Sequence, residues 1–174
     1  EYRRQRQMCI RDSNNGGGNL TTAEKLAERF TNEKKLIGYM SYKTGPGHNE
    51  FSTPEAVYLE PPMDRVRWQK HTVVLTNRRS YSATNDFVNR MKQLDRVTVI
   101  GDKTGGGSGL PFSSELPNGW SVRFSASPMY DPDMKHLEFG IEPDKKVDIT
   151  SEDYNKGIDT IIEAAREYLH NHKQ

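Results

Sequence analysis

The stretch His71-Thr-Val-Val-Leu-Thr-Asn77 runs into Arg78-Arg-Ser-Tyr-Ser-Ala83, and the reading of this junction decides the fold. The first half is β-branched and apolar, the pattern of a strand buried on both faces. After Ala83 the apolar residues Phe87, Val88, Met91 and Leu94 fall at three- and four-residue spacing, which predicts an amphipathic helix. Ser82 therefore sits where a strand period gives way to a helix period. A turn there lifts a hydroxyl away from the sheet. The unpaired N–H groups of the first helical turn face the same place and favour developing negative charge. The plain alternative is that Ser82 only caps its helix.

Working outward, strands and helices alternate, which is an α/β pattern. Thr21-Thr-Ala-Glu24 has the form of a capping box, with Ala23, Leu26, Ala27 and Phe30 on one face of the helix that follows. Leu36–Tyr42 and Ala56–Leu59 read as strands around the polar excursion Lys43–Ser52. Val97–Ile100 reads as a further strand. Ser113–Leu116 and Trp120–Ala126 form a hairpin through Pro117-Asn118-Gly119. Residues Ser151 to His170 are expected to form one closing helix, capped by Thr150 or Ser151, with Ile158, Ile161, Ile162, Ala165 and Leu169 inward.

The first residues stand apart. Arg3-Arg-Gln-Arg-Gln-Met-Cys-Ile-Arg-Asp-Ser13 reads as the translation of CGT CGG CAG CGT CAG ATG TGT ATA AGA GAC AGx, a transposon-based sequencing-library adapter. Residues 1–13 are accordingly expected to be an adapter-derived artefact and are set aside from the fold reading of 14–174. Setting aside residues 1–12 removes four arginines and two acidic residues, which takes the formal charge from +1 to −1. No basic segment is then left to argue for nucleic-acid binding. Cys9, the single cysteine, goes with it, and with it any disulfide or thiolate ligand. No apolar run reaches membrane-spanning length.

Two glycine tracts frame Ser82. Asn14-Asn-Gly-Gly-Gly-Asn19 offers bare backbone N–H groups to a substrate carbonyl, although a glycine triplet also serves as an ordinary tight turn. Gly101-Asp-Lys-Thr-Gly-Gly-Gly-Ser-Gly109 places Lys103 before the glycines instead of after them, so it is not a nucleotide P-loop. No arrangement of histidines and carboxylates has zinc-ligand spacing, and neither metal nor other cofactor is expected.

Four blocks in order carry a resemblance: Asn14–Asn19, Val74–Ala83, Val99–Gly107 and Phe139-Gly-Ile-Glu-Pro-Asp144. Together they resemble the tail-specific, or C-terminal processing, serine peptidases, in the branch of the tricorn core and interphotoreceptor retinoid-binding protein. The match spans roughly residues 14 to 170, and the resemblance implies that 14–174 is the C-terminal part of a serine peptidase catalytic domain. The resemblance implies a ClpP/crotonase-like α/β core with a mixed sheet flanked by helices, and peptide or protein substrates cleaved through an acyl-enzyme. It implies Ser82 as nucleophile, with the Ala83 N–H and one of the Gly16, Gly17 and Gly18 N–H groups as the oxyanion hole. It also implies a periplasmic or extracellular setting.

The departures are specific. The Ser-Lys branch carries its lysine twenty-five residues after the nucleophile, where this chain has Gly107, and Lys103 reads as a solvated loop lysine. The tricorn-like branch takes a histidine base from a segment upstream of the Asn14–Asn19 block, absent from this chain, so the chain alone is expected to be nearly inactive. Glu138 is the first candidate to orient that histidine, and Glu142 the second. Asp144 is expected to hold its loop by backbone hydrogen bonds. Asn85 stands where family members often carry glutamate. Among the chain's own histidines, His48 lies in the Lys43–Ser52 loop, and a loop histidine is more often solvated than catalytic. A second reading is a catalytically silent relative that binds peptide or lipid. An acyl-CoA enzyme of crotonase type ranks last, because it leaves Ser80-Tyr-Ser-Ala83 without a purpose.

Overall fold

A computed structural model describes residues 7–64 and 66–172; Arg3–Arg6 of the adapter-like run lie outside the described residues. In chain order the elements are β1 (Met8–Arg11), α1 (Leu20–Ala27) running into a 3-10 turn at Glu28–Phe30, β2 (Lys35–Met40), β3 (Glu55–Leu59), β4 (Thr72–Thr76), α2 (Ala83–Lys92) and β5 (Val97–Gly101). There follow β6 (Phe112–Glu115), β7 (Ser121–Phe124), β8 (Met129–Tyr130), a 3-10 turn at Leu137–Phe139, β9 (Lys145–Lys146), α3 (Ser151–Asn155) and α4 (Thr160–Asn171).

The strand read from His71–Asn77 is the centre of the molecule. β4 lies between β1 and β5 in a parallel sheet of order β1-β4-β5-β9, and all five of its residues are buried. Parallel sheets need cover on both faces, and successive β4 side chains divide between two cores. Val74 packs with Val99, Phe87, Val88 and Met91 on the α2 side. Val73 and Leu75 pack with Ile100, Ile161 and Ala165 on the α4 side. Fully burying one such side chain contributes about 1.5–3 kcal/mol. The expected α/β core is therefore present, but the mixed sheet resolves into separate parts: the parallel sheet, an antiparallel sheet of order β3-β2-β8, and the isolated hairpin β6-β7.

β1 comes from the segment set aside on its sequence. Met8, Cys9, Ile10 and Arg11 pair in register with Thr72, Val73, Val74 and Leu75. Ladder bonds are made by main-chain groups, so a strand at a sheet margin needs little from its side chains, and here Ile10 packs against the core. Whatever the origin of its codons, this segment supplies the strand that leads into Asn14–Asn19.

Three local expectations need correction. Asn19, not Thr21, caps α1: its side chain accepts the Thr22 N–H at 3.0 Å. Leu26, placed on the inward face, is 47% exposed. The closing helix is broken in two, because Gly157 takes φ +70° and Asp159 starts α4 by accepting the Ile161 and Ile162 N–H groups. Thr150 does cap the first piece, α3, while Ile158 lies in the break and is 40% exposed. Among the described residues no helix is long and apolar enough to cross a membrane.

Candidate active site

Between β4 and α2 the chain makes a loop that is pinned on two sides. On one side Asn14 and Asn77 exchange bonds: the Asn14 N–H donates to Asn77 Oδ1 and Asn77 Nδ2 donates to Asn14 Oδ1, each at 3.0 Å. The Tyr81 N–H donates to the Asn15 carbonyl at 3.1 Å, and Ser80 Oγ donates to the Asp12 carbonyl at 2.8 Å. On the other side the Gly105 N–H donates to the Ser80 carbonyl at 2.9 Å and the Ser82 N–H to the Gly106 carbonyl at 2.8 Å. Both glycine tracts are thus fastened to the Ser82 loop through backbone groups.

Ser82 has φ +60° and ψ −126°, a conformation that costs a non-glycine residue about 1–3 kcal/mol. It occupies the N-cap position of α2, yet its side chain makes no capping bond, so the plain capping account does not hold. Ser82 instead borders a cavity of about 110 Å³ with Gly18, Leu20, Ala83, Asp86 and the Gly107–Pro111 segment. The Ala83 N–H opens the helix, and among the described residues no backbone carbonyl accepts it. In the first glycine tract, the Gly17 N–H is taken by Asn15 Oδ1 at 3.1 Å, whereas Gly18 lines the Ser82 cavity. Gly17 serves differently. Its φ is +93°, and a Cβ there would lie 2.8 Å from both Ala83 N and Ser82 Cβ. Only glycine lets this loop approach the serine so closely. Gly16, the third candidate, borders neither this cavity nor the one next to it.

A second, more apolar cavity of about 230 Å³ adjoins the first across Gly18 and Ala83, with Ala23, Leu26 and Phe87 among its walls. Leu26 is exposed because it faces this opening.

The two glutamates separate clearly. Glu142 Oε1 pairs with Lys103 at 3.1 Å, and its side chain is 66% exposed. Lys103 is therefore an ion-paired loop lysine, only partly exposed, and not a freely solvated one. Glu138 lies in the 3-10 turn Leu137–Phe139. Its Oε2 is buried without a hydrogen-bond partner, and it points toward Gly109 on the wall of the Ser82 cavity. Its backbone is held from both ends, the N–H by His136 Nδ1 at 3.1 Å and the carbonyl by the Gly107 N–H at 3.2 Å. Asp144 behaves as its position implied. Its Oδ2 accepts the Val99 N–H at 2.8 Å and its own N–H donates to the Val99 carbonyl at 2.9 Å.

No histidine lines the Ser82 cavity among the described residues. His48 is exposed in its loop, and His71 and His172 border another cavity, with Lys70 and Arg96. No group of residues is arranged to hold a metal ion among the described residues.

Sequence reasoning missed Asp86 and, although it noted Asn85, not the bonds that residue makes. Asp86 lines the Ser82 cavity and donates nothing but charge: its Oδ2 accepts from Arg90 Nε at 2.6 Å, with both side chains 3% exposed. Burial pushes the Asp86 carboxyl above its ordinary range, against the opposing pull of Arg90. Asn85, fully buried, bonds Thr104, Ser108 and Leu137. Four-residue spacing of acid and base was the available signal for the first. A polar residue on the inward side of an amphipathic helix was the signal for the second.

Ser82 is thus a strained, uncapped serine at a strand-to-helix junction, sharing one cavity with Gly18, Ala83 and the buried Asp86. The family model of peptidase family S41 matches residues 10–147, and the chain belongs to that family. A candidate peptidase from Parabacteroides merdae ATCC 43184, known from a crystal structure, is 58% identical and superposes with a TM-score of 0.89, over 94% of this chain and 52% of that one. Mature CPAF, at 16% identity, shares the fold with a TM-score of 0.82 over 99% of this chain and 46% of its own. A protein of Staphylococcus saprophyticus described as a CtpA-like serine protease is 25% identical over 144 residues, 82% of this chain and 28% of that protein. The chain thus spans about half the length, or less, of the relatives it matches.

Proposed function

We propose that the whole protein is a serine endopeptidase that cleaves peptides or protein C-termini through an acyl-enzyme on Ser82. The observation that carries this reading is the uncapped Ser82 hydroxyl at φ +60°, bordering one cavity with Gly18 and Ala83. Ser82 Oγ attacks the scissile carbonyl as a base removes its proton. The Ala83 and Gly18 N–H groups receive the oxyanion, and the amine leaves with a proton returned by the base. Water then releases the acyl group by the same steps. Gly16 and Gly17 shape the loop, and Gly17 cannot serve as a donor while Asn15 holds its N–H.

The resemblance assigns the base to a histidine upstream of Asn14, and the absence of histidine from the lining of the Ser82 cavity among the described residues agrees with that assignment. Glu138 orients this histidine. Its unpartnered buried oxygen is the kind of acceptor that an imidazole N–H would satisfy. The proposed substrate is peptide or protein, with no nucleic-acid partner and no cofactor, and the proposed setting is outside the cytoplasm. The test is labelling of the full-length protein with a fluorophosphonate. Labelling at Ser82, lost together with peptide hydrolysis in Ser82→Ala, supports the reading. A protein that stays unlabelled while still retaining peptide is the silent binder instead.

A further inference from the structure

We infer that Asn85, acting with Thr104, is a positioning residue that sets Glu138 against Ser82; this rests on the peptidase reading above. Asn85 lies one helical turn after Ser82 and is 0% exposed. Its Nδ2 donates to Ser108 Oγ at 2.7 Å and to the Leu137 carbonyl at 3.0 Å. Its Oδ1 accepts the Thr104 hydroxyl at 2.6 Å, and Thr104 Oγ1 in turn accepts the Ile141 N–H at 2.6 Å. Both amide donors and the acceptor are used. One side chain thereby clasps three segments: the first turn of α2, the Thr104–Ser108 loop, and the Leu137–Ile141 stretch that carries Glu138.

These bonds end next to functional groups and not in general packing. Ser108 borders the Ser82 cavity, and Leu137 immediately precedes Glu138. Between them lie Gly106, whose carbonyl takes the Ser82 N–H, and Gly107, whose N–H is held by the Glu138 carbonyl. The Gly106 backbone is pressed against the Glu138 backbone so closely that a Cβ would sit 2.7 Å from the Glu138 carbonyl carbon. The serine and the glutamate are therefore two ends of one short rigid path, and Asn85 fixes its length. A neutral amide suits the task. A carboxylate at this position could accept from Thr104 but could not donate to the Leu137 carbonyl, which would lose its partner in a buried setting.

A displacement of about 1 Å in a catalytic array lowers turnover by about 100-fold. The experiment uses the full-length protein and the variants Thr104→Val, which keeps shape and removes the hydroxyl, Thr104→Ser, which restores it, and Asn85→Asp. Expected results are a kcat lowered about 10- to 100-fold in Thr104→Val and Asn85→Asp with KM within about twofold, and a kcat within about threefold of the parent in Thr104→Ser. A parent-like kcat in Thr104→Val despite a lowered melting temperature would reduce the network to a structural role and overturn the inference. So would a Thr104→Ser protein as slow as Thr104→Val. Absence of Ser82 labelling in the parent would count against the peptidase reading instead. The positioning is then read from the ¹³C titration of the Glu138 carboxyl, where an identical curve in parent and Thr104→Val overturns it and a displaced curve supports it.

Discussion

Helix α2 and the root of the hairpin β6-β7 both border the Ser82 cavity, yet the two elements are built in opposite ways. Every residue from Ala83 to Met91 is buried, including a carboxylate, a guanidinium and two asparagine amides, each with a named partner. In the hairpin all of β6 and three of the four β7 residues are exposed, Trp120 to 70%, although Leu110, Pro111 and Arg123 at its root line the Ser82 cavity. The Ser82 turn thus leads into an element that is buried along nearly its whole length. The adjoining wall of the cavity is made by one with little packing of its own, the kind of element that opens at low cost.

The sharpest way to break this contrast is Gly17→Val. Its branched side chain at φ +93° would collide with the Tyr81 carbonyl, the Ala83 nitrogen and the Ser82 Cβ, and fluorophosphonate labelling is expected to vanish in the full-length protein while far-ultraviolet circular dichroism remains. Next in size is Asp86→Ala, which leaves Arg90 buried beside only the partly exposed Glu24 at 3.5 Å. Urea unfolding should show a loss of about 3–5 kcal/mol, and the paired replacement Asp86→Leu with Arg90→Met should recover most of it.

Asp12→Asn sharpens the contrast from the glycine-loop side. Asp12 Oδ2 is buried without a partner, and burial raises the Asp12 carboxyl above its ordinary value, partly offset by the Asn15 bond. A carboxyl raised in the folded state gives stability that is present at low pH and lost as pH climbs through its folded value. The variant should therefore be more stable than the parent at neutral pH, by about 1 kcal/mol, with the gap closing toward acid. Smallest is Trp120→Ser at the hairpin tip, expected to shift unfolding by less than about 0.5 kcal/mol. A loss comparable to that of Asp86→Ala would show that the hairpin is packed against something in solution and would collapse the comparison.

Much of the core was legible in the sequence, because β4 and α2 carry long unmixed periods and because the turn at Asn118-Gly119 has a strong local signature. The hairpin joins as expected, with the Leu116 N–H donating to the Trp120 carbonyl at 2.8 Å and Gly119 at φ +82°. Helix ends were less legible. Asn19 and Thr21 are both good caps, and which one works depends on where the preceding glycine loop is fastened. Gly157 inside an otherwise helical pattern was the available sign that the closing helix would break. β8 and β9 have two residues each, too few to show any period. In the site, the place of Ser82 followed from the switch of period. The separation of Glu138 from Glu142, and the reach of Asn85 across 52 residues to Leu137, came only from tertiary packing that no local pattern encodes.

The entry of β1 into the sheet has a further bearing. Its pairing with β4 runs through peptide groups, so the ladder itself asks for little more than an extended chain in register, with Ile10 the side chain that packs on the core. Immediately downstream that tolerance ends, since at Gly17 the addition of one carbon atom would drive the loop off the serine. Within ten residues the polypeptide passes from a stretch whose pairing is set by the main chain to a site that accepts a single letter.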